Sequence, residues 1–205
     1  MKITKLDCLV IVINKNILYL LLLFLNFSYA QNFNNINNWV LFENEDITTF
    51  KITKSETIKI NNLLFEAKWN DSLSYSNNIG YYGGVSELKL SFKGKYIQTI
   101  KNIEDGIALG EIPITFYDFN MDGFLDFYIR IDCGKVCHLN YYFFDETSST
   151  FIYKKEWDYV NIFKLNKIKK QILTEPDGTA LKGDYEWLRV VDNNIKLIKL
   201  IPYGN

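Results

Sequence analysis

An alternation of apolar and polar residues runs through Ser86–Phe92, where Leu and Phe alternate with charged or polar neighbours. Residues two apart lie on the same face of a strand, so this period predicts a strand with one buried face. The turn residues Lys93-Gly94-Lys95 follow, and Tyr96–Ile100 is a second extended run. The pattern therefore predicts a β-hairpin.

Short extended runs separated by turn residues continue along the chain after residue 38. This region shows no sustained helical period, and Asn70–Gly84 is predicted to be a long polar, glycine-bearing loop. Many short strands predict an all-β fold: a single compact antiparallel domain built as a sandwich, a barrel or a small propeller-like array. The other predicted strands are Val40–Glu43, Thr48–Thr53, Thr57–Ile60, Leu63–Trp69, Asn140–Phe144, Thr150–Lys154, Val160–Lys164, Lys169–Thr174, Asp184–Val191 and Ile195–Ile201.

The stretch IPITFYDFNMDGFLDFYIRI places a polar loop between two apolar runs, Ile112–Tyr117 and Leu125–Ile131. Oxygen-bearing side chains recur at every second position of the loop, and a glycine follows the third. Calcium takes about six to eight oxygens, which a loop supplies from positions 1, 3, 5, 7 (a carbonyl) and 9, with glycine at position 6. The candidate Ca²⁺ ligands are Asp118, Asn120, Asp122, the carbonyl of Phe124, and Asp126.

Two interpretations of this loop are open. A helical calcium-sensor hand carries a bidentate Glu at position 12, whereas Ile129 occupies that position here and the flanks favour strands. We therefore predict one calcium loop between two strands. The alternative is a polar β-turn whose Asp and Asn side chains accept hydrogen bonds from backbone N–H groups. Three carboxylates within residues 118–126 favour a cation, because they repel one another without it.

Residues 1–30 are predicted to be a secretory signal peptide. Lys2 and Lys5 form a short basic start before the unbroken apolar core Ile17–Leu25, and Ser28-Tyr29-Ala30 places small residues before a cleavage site. The alternative is an uncleaved membrane anchor, whose required length the apolar run approaches. Residues 31–38 are predicted to be a disordered, asparagine-rich lead-in, and 39–205 one domain. The protein is expected to be periplasmic or secreted, without a stable membrane span after cleavage.

The charge of the chain is close to neutral, with 23 Lys and Arg against 24 Asp and Glu. Nucleic-acid binding depends on basic residues that neutralise phosphates, so this composition argues against a nucleic-acid partner. We expect a monomer that binds a protein partner.

Cys133 and Cys137 are the two cysteines outside the signal peptide, in the sequence DCGKVCH. In an oxidising compartment such a pair is most simply a disulfide. Its short loop gains little from chain entropy, so its role would be to shape the turn. The alternatives are free thiols or a soft-metal site with His138, which lacks the fourth ligand of a closed zinc site.

The segment Gly80-Tyr81-Tyr82-Gly83-Gly84 is the best candidate for a partner-binding surface. Glycines flank Tyr81 and Tyr82, and tyrosine is a frequent anchor at interfaces. The alternative is a bulged turn whose tyrosines fold back onto the core.

The sequence carries no recognisable catalytic motif. No glycine-rich loop follows a strand and opens a helix, and no serine lies in a nucleophile elbow. The paired carboxylates needed for acid–base chemistry occur only in the candidate calcium loop. We therefore do not expect an enzyme, although an uncharacterised envelope enzyme with residues from scattered loops stays an alternative.

The order of elements resembles a known family. The hairpin LKLSFKGKYIQTI, the loop DFNMDGFLDFYIRI, the segment NYYFFDETSSTF and the closing KKQILT and YEWLRVVDNNIKLI segments are similar to calcium-binding periplasmic immunity proteins of bacteria. Those proteins neutralise peptidoglycan-hydrolase effectors of antibacterial type IV secretion systems. The resemblance covers roughly Leu88–Leu200.

This resemblance implies a compact all-β domain similar to periplasmic lysozyme inhibitors, with calcium held by Asp118, Asn120, Asp122 and Asp126. It also implies a hydrolase inhibitor or immunity function. The chain lacks the SGxxY-type motif of lysozyme inhibitors. The alternative function is a calcium-stabilised module that binds glycan or a surface protein.

Overall fold

The computed structural model describes residues 38–176 and 183–203. The predicted signal peptide 1–30 and residues 31–37 of the predicted lead-in lie outside the described residues, and Asn38 lies in a turn. The chain divides into two compact units, 1–39 and 40–205, and all the strands described here belong to the second.

The described part of the second unit contains sixteen strands and two short 3-10 turns. The 3-10 turns are Phe42–Asn44 and Lys155–Trp157. The strands are β1 Val40–Leu41, β2 Thr48–Ile52, β3 Glu56–Ile60, β4 Leu63–Trp69, β5 Ser74–Ser76, β6 Gly80–Tyr82, β7 Gly84–Phe92, β8 Lys95–Glu104, β9 Ile112–Tyr117, β10 Asp126–Cys133, β11 Cys137–Asp145, β12 Thr150–Tyr153, β13 Ile162–Asn166, β14 Gln171–Thr174, β15 Gly183–Val191 and β16 Asn194–Tyr203.

Three antiparallel sheets contain nearly all of these strands. The first outer sheet has the order β3-β4-β7-β8, the middle sheet β12-β11-β10-β9-β2, and the second outer sheet β1-β13-β14-β15-β16. The strands β5 and β6 form a separate two-stranded hairpin. The all-β antiparallel domain predicted from the pattern is therefore confirmed.

The middle sheet is buried on both faces. In β9 all six residues are buried, and alternate side chains enter different cores. Phe116 faces the first outer sheet, where its ring lies 5.1 Å from that of Phe65. Tyr117 joins the second core, which includes Tyr141 of β11 and Leu165 of β13. Burial on two faces explains why this strand is a continuous apolar run rather than an alternating one.

Local pairing follows the sequence prediction where turns are short. The predicted hairpin is present as β7 and β8, with Gly94 at a φ of +77° in the turn. Such a backbone conformation favours glycine, which has no Cβ to clash. The loop predicted to bind calcium connects β9 to β10, although β10 begins at Asp126 rather than Leu125.

Four of the predicted elements are wrong in part. Phe42 and Glu43, predicted as the end of a strand, lie in a 3-10 turn that the Glu45 N–H closes onto the Phe42 carbonyl. The strand predicted from Lys169 begins at Gln171, after a turn in which the Lys170 N–H bonds to the Lys167 carbonyl. The predicted loop Asn70–Gly84 contains the hairpin β5–β6, because its tyrosines pair across the two strands. The strand predicted to begin at Val160 begins at Ile162, since the Val160 N–H bonds to the Trp157 carbonyl and ends the preceding turn.

Candidate metal centre

The loop 118–125 closes the end of the middle sheet and reaches both cores. Phe119 is completely buried in the core shared with the second outer sheet, and Met121 packs against the same core. Phe124 and Leu125 pack instead against the core shared with the first outer sheet. The apolar residues between the oxygen-bearing ones therefore anchor the loop on two sides.

The backbone of the loop has the turn geometry that its glycine allows. Met121 and Gly123 adopt positive φ angles of +60° and +96°. A Cβ at Gly123 would meet no atom within 4 Å. The positive φ angle therefore favours glycine at this position, and a lack of space for a side chain does not.

Asp118, Asn120 and Asp122 are brought together by hydrogen bonds within the loop. The two carboxylate oxygens of Asp118 accept the N–H groups of Asp122 and Gly123, each at 2.9 Å. Asn120 Oδ1 accepts the Asp122 N–H at 3.1 Å, and Asn120 Nδ2 donates to Asp122 Oδ2 at 2.7 Å. Asp122 Oδ1 accepts the Phe124 N–H at 2.9 Å. These hydrogen bonds by themselves orient all three side chains.

Asp126 lies on the buried side of the loop, with no exposed surface. Its carboxylate accepts the N–H groups of Phe119 at 3.1 Å and Phe144 at 2.9 Å. Burial raises the pKa of Asp126 well above its ordinary value; the Phe144 N–H opposes this rise, and the charges of Asp122 and Asp118 add to it. Asp126 therefore connects the loop to β11 as well as belonging to the predicted ligand set.

The pKa of Asp118 is also raised. Burial is the largest cause, the Gly123 and Asp122 N–H groups oppose it, and the nearby Asp122 carboxylate adds to the rise. No salt bridge between described residues involves Asp118, Asp122 or Asp126. The loop thus concentrates negative charge without a protein cation to balance it.

The nearest lysine is engaged elsewhere. Lys167 lines a cavity of about 420 Å³ together with Tyr117, Met121 and the rim of the loop. Its ammonium forms a salt bridge with Glu45, which also accepts the Tyr117 hydroxyl at 2.7 Å. Burial, followed by this bond to Glu45, raises the pKa of Tyr117 to about 12. Lys167 is therefore a partner of Glu45 rather than of the loop carboxylates.

Asn193 approaches the loop from the second outer sheet, and sequence reasoning missed it. Its Oδ1 accepts a hydrogen bond from Asn120 Nδ2 at 2.6 Å, and its carbonyl accepts the Trp157 indole N–H at 3.0 Å. Asp192 and Asn193 both have positive φ angles, as short polar residues in a tight hairpin turn can. The asparagine-rich turn was visible in the sequence, but its proximity to residue 120 depends on sheet packing.

The donor set fits a hard cation. It consists of carboxylate, amide and carbonyl oxygens, the ligand types that calcium prefers. Within the described residues, no three Asp, Glu, His or Cys side chains converge into a preformed metal site. The structure places Asp118, Asn120 and Asp122 in one turn, with Asp126 fastened on its inner side.

The predicted disulfide is present between Cys133 and Cys137. The two residues face each other across the antiparallel pair β10–β11, at the opposite end of β10 from Asp126. The structure thus favours the disulfide over free thiols or a soft-metal site with His138. The His138 ring stacks on Tyr159 at 5.0 Å, and its Nε2 lies 3.5 Å from Asp158.

Removing this disulfide is expected to cost little stability. The bridge closes a loop with a sequence separation of 4, for which the chain-entropy estimate is about 2 kcal/mol. The variant Cys133→Ser/Cys137→Ser is expected to unfold in urea with a free energy lower by no more than that amount. Any calcium response should be unchanged, because the bridge lies away from the loop. A loss above about 4 kcal/mol would contradict this role.

Tyr81 and Tyr82 have different environments. Tyr81 is 70% exposed on the hairpin β5–β6, and its ring lies 5.1 Å from that of Tyr75, itself 60% exposed. Tyr82 is half-buried and donates its hydroxyl to Glu104 at 3.3 Å. The structure thus leaves Tyr81 available for a partner and turns Tyr82 back towards β8. Tyr75, which the sequence interpretation overlooked, completes an exposed aromatic pair.

Comparisons with protein-family models, with curated proteins and with solved structures gave no match to this chain. In the part of the chain that the structure describes, no helix has the length and apolar character of a membrane span.

Proposed function

We propose that this chain is an exported, calcium-stabilised binding protein that inhibits a cell-wall hydrolase, in the manner of an immunity protein. The proposal combines a rigid three-sheet scaffold, an acidic loop at the end of its middle sheet and an exposed pair of tyrosines. The observation that carries the binding role is the hairpin β5–β6, which presents Tyr75 and Tyr81 to solvent.

Calcium would be held by Asp118, Asn120, Asp122, the Phe124 carbonyl and Asp126. Binding requires these groups to close further around the ion, because no three acidic, histidine or cysteine side chains of the described residues converge into a preformed site. A divalent cation would offset the repulsion among three carboxylates that have no salt-bridge partner. The side-chain oxygen of Asn193 accepts the Asn120 amide N–H and so helps to orient that ligand. The ion's role in this proposal is structural: it fastens a loop that anchors two cores.

Recognition of a protein partner is supported by the aromatic pair. Tyr75 and Tyr81 lie directly opposite each other across β5 and β6. Fixing a tyrosine side chain on binding costs little conformational entropy, and the side chain buries a large area. Such pairs are therefore effective interface anchors. The base of the hairpin is held where Gly83 packs against Trp69, leaving no room for a Cβ, which would lie 2.6 Å from the indole.

Affinity capture from the envelope fraction tests this proposal. We expect the immobilised protein to retain a peptidoglycan hydrolase and, when added to that enzyme, to slow its release of peptidoglycan fragments. Tyr81→Ala is expected to weaken inhibition about tenfold or more, the effect of losing an anchor worth about 1.4 kcal/mol or more.

Tyr82→Phe is the matched control, because it removes only a hydroxyl that bonds within the protein. Its inhibition should stay within about twofold of the original. Capture of hydrolases that are not inhibited, or equal effects of the two substitutions, would contradict the proposal.

Glycan recognition is the second candidate, and the same aromatic pair favours it. Exposed tyrosine rings can stack on sugar faces as well as on protein side chains. Retention on insoluble peptidoglycan or another envelope polysaccharide, lost in Tyr81→Ala and without hydrolase inhibition, would select this function.

A further inference from the structure

Among the described strands, β16 forms a long edge of its sheet. It comprises ten residues and is the last strand of the second outer sheet, with β15 as its neighbour on one side. No described strand pairs with its other side. An edge of this kind presents a row of backbone donors and acceptors to which another extended chain can add.

Part of β16 lies past the backbone pairing of β14 with β15. The short strand β14 pairs only with residues 187–189 of β15. Beyond that pairing, residues 183–186 of β15 are held by side-chain contacts, since Tyr185 stacks on Phe163 of β13 and the Glu186 N–H bonds to Thr174 Oγ1, and they pair with residues 200–203 of β16. Leu197, Ile198 and Leu200 are 57%, 42% and 47% exposed along this strand. By contrast, β8, the other ten-residue edge strand, has only Tyr96 among the large exposed apolar side chains.

A β-bulge in β16 determines which of its side chains share a face of the sheet. Leu188 pairs with Leu197 and Trp187 with Lys199, so Ile198 is an extra residue in β16. Lys196, opposite Arg189, and Lys199, opposite Trp187, therefore lie on the same face of the sheet. Without the bulge, two lysines three residues apart would point to opposite faces.

The other face of the strand is apolar. Leu197 and Leu200 lie opposite Leu188 and Glu186, which are two residues apart on β15 and so share a face. One face of this edge is thus basic, through Arg189, Lys196 and Lys199, while the other presents exposed leucines.

The same lysines disfavour self-pairing in one antiparallel register. An antiparallel pairing of two copies centred between Leu197 and Ile198 would place Lys196 of each copy opposite Lys199 of the other. Like charges directly opposite each other are destabilising, and lysines on an edge are a known device against edge-to-edge association. The charge pattern instead complements a strand with acidic side chains.

We propose that β16 binds an extended segment of a partner protein as an added strand, with acidic side chains against Lys196 and Lys199 and apolar side chains against Leu197 and Leu200. The backbone edge supplies affinity, and the two faces supply selectivity for an alternating acidic and apolar sequence. This site is distinct from the Tyr75–Tyr81 pair and does not depend on the partner being a hydrolase.

Synthetic peptides test the site directly. The probe is fluorescein-labelled Ser-Glu-Val-Glu-Val-Glu-Val-Glu-Ser, capped at its C-terminus, and the control peptide has lysine in place of each glutamate. We expect saturable binding of the acidic peptide by fluorescence anisotropy, weakened at least tenfold in Lys196→Glu/Lys199→Glu. The basic peptide should bind this variant more tightly than the original protein.

A second double variant, Lys59→Glu/Lys101→Glu, is the matched control. It makes the same charge change on β3 and β8, the edge strands of the first outer sheet, and binding should stay within about twofold. Thermal unfolding of both variants verifies that they fold. Hydrogen exchange should slow in β16 when the acidic peptide is bound.

Three results would overturn the proposal. One is the absence of saturable binding up to millimolar peptide. Another is equal weakening by both double variants, which would indicate general charge attraction. The third is self-association in sedimentation that Ile198→Pro abolishes, because it would assign the edge to a second copy. Failure to inhibit any hydrolase would leave this test unaffected, so the two proposals fail separately.

Discussion

Chelating calcium is expected to lower the melting temperature of the protein by roughly 3–10 °C. Without a Glu at position 12, the affinity should lie near the weak end for extracellular modules, about 10⁻⁴–10⁻³ M. At about 10 mM calcium, binding to the folded state alone then contributes about 1.4–2.7 kcal/mol. For a protein of this size, each kcal/mol shifts the melting temperature by about 2–4 °C. Thermal unfolding with excess calcium and with a chelator measures the difference.

The substitution Asp122→Asn separates the ion's contribution from that of the loop hydrogen bonds. Asparagine keeps an oxygen that can accept the Phe124 N–H, which Asp122 Oδ1 accepts at 2.9 Å, but it removes one negative charge. In chelator the variant should differ little in stability from the original protein, because reduced repulsion within the loop offsets the loss of the bond that Asp122 Oδ2 accepts from Asn120 Nδ2 at 2.7 Å. In calcium it should be less stable, because a charged ligand is lost.

Asp145→Asn is the matched control for this experiment. Asp145 also accepts a backbone N–H within a turn, that of Thr147 at 3.1 Å, but it lies at the β11–β12 turn outside the loop. Its variant should keep the full calcium response. Identical unfolding with and without calcium, together with no heat of binding at millimolar ion, would refute the proposed metal site.

Phe119→Ala is expected to lower the free energy of unfolding by about 3–5 kcal/mol, the usual cost of truncating a buried phenylalanine. The ring is completely buried and lies against four aromatic neighbours. Its centroid is 5.0 Å from Tyr141, 5.3 Å from Tyr128, 5.6 Å from Tyr117 and 6.0 Å from Phe42. Urea unfolding at constant calcium measures the loss.

The same substitution should also weaken calcium binding. The Phe119 N–H holds Asp126, so a loop that loses its side-chain anchor should hold this carboxylate less well. Phe124→Ala is the control within the loop, because Phe124 is only half-buried and packs against the other core. A Phe119→Ala loss no larger than that of Phe124→Ala would show that the loop is not anchored as described.

These two experiments address one structural relationship. The oxygen-bearing residues of the loop alternate with apolar residues that enter the cores on either side of the middle sheet. Ion binding and core packing should therefore stabilise each other, so a variant that weakens one should measurably weaken the other. Double-mutant analysis of Asp122→Asn with Phe119→Ala would give the coupling free energy directly.

The sequence by itself determined the features that depend on neighbours along the chain. A period of two predicted the β7–β8 hairpin, and the spacing of Asp118, Asn120 and Asp122 before Gly123 predicted the turn that the structure contains. The Cys133–Cys137 bridge was predictable because its two residues are close in sequence. In each case the determining contacts are local, so residue type and spacing are sufficient.

Only the tertiary structure decided the features that depend on sheet packing. Asp126 is two residues from Phe124 in sequence, yet its burial and its bond to Phe144 arise because β10 lies between β9 and β11 in a sheet covered on both faces. The approach of Asn193 requires the second outer sheet to pack against the loop. Tyr81 is exposed and Tyr82 is half-buried because successive residues of a strand point to opposite faces, in a hairpin that the sequence pattern did not reveal. The exposure of β16 likewise depends on its position as the last strand of the second outer sheet, because an edge is a property of the assembled sheet rather than of any one strand.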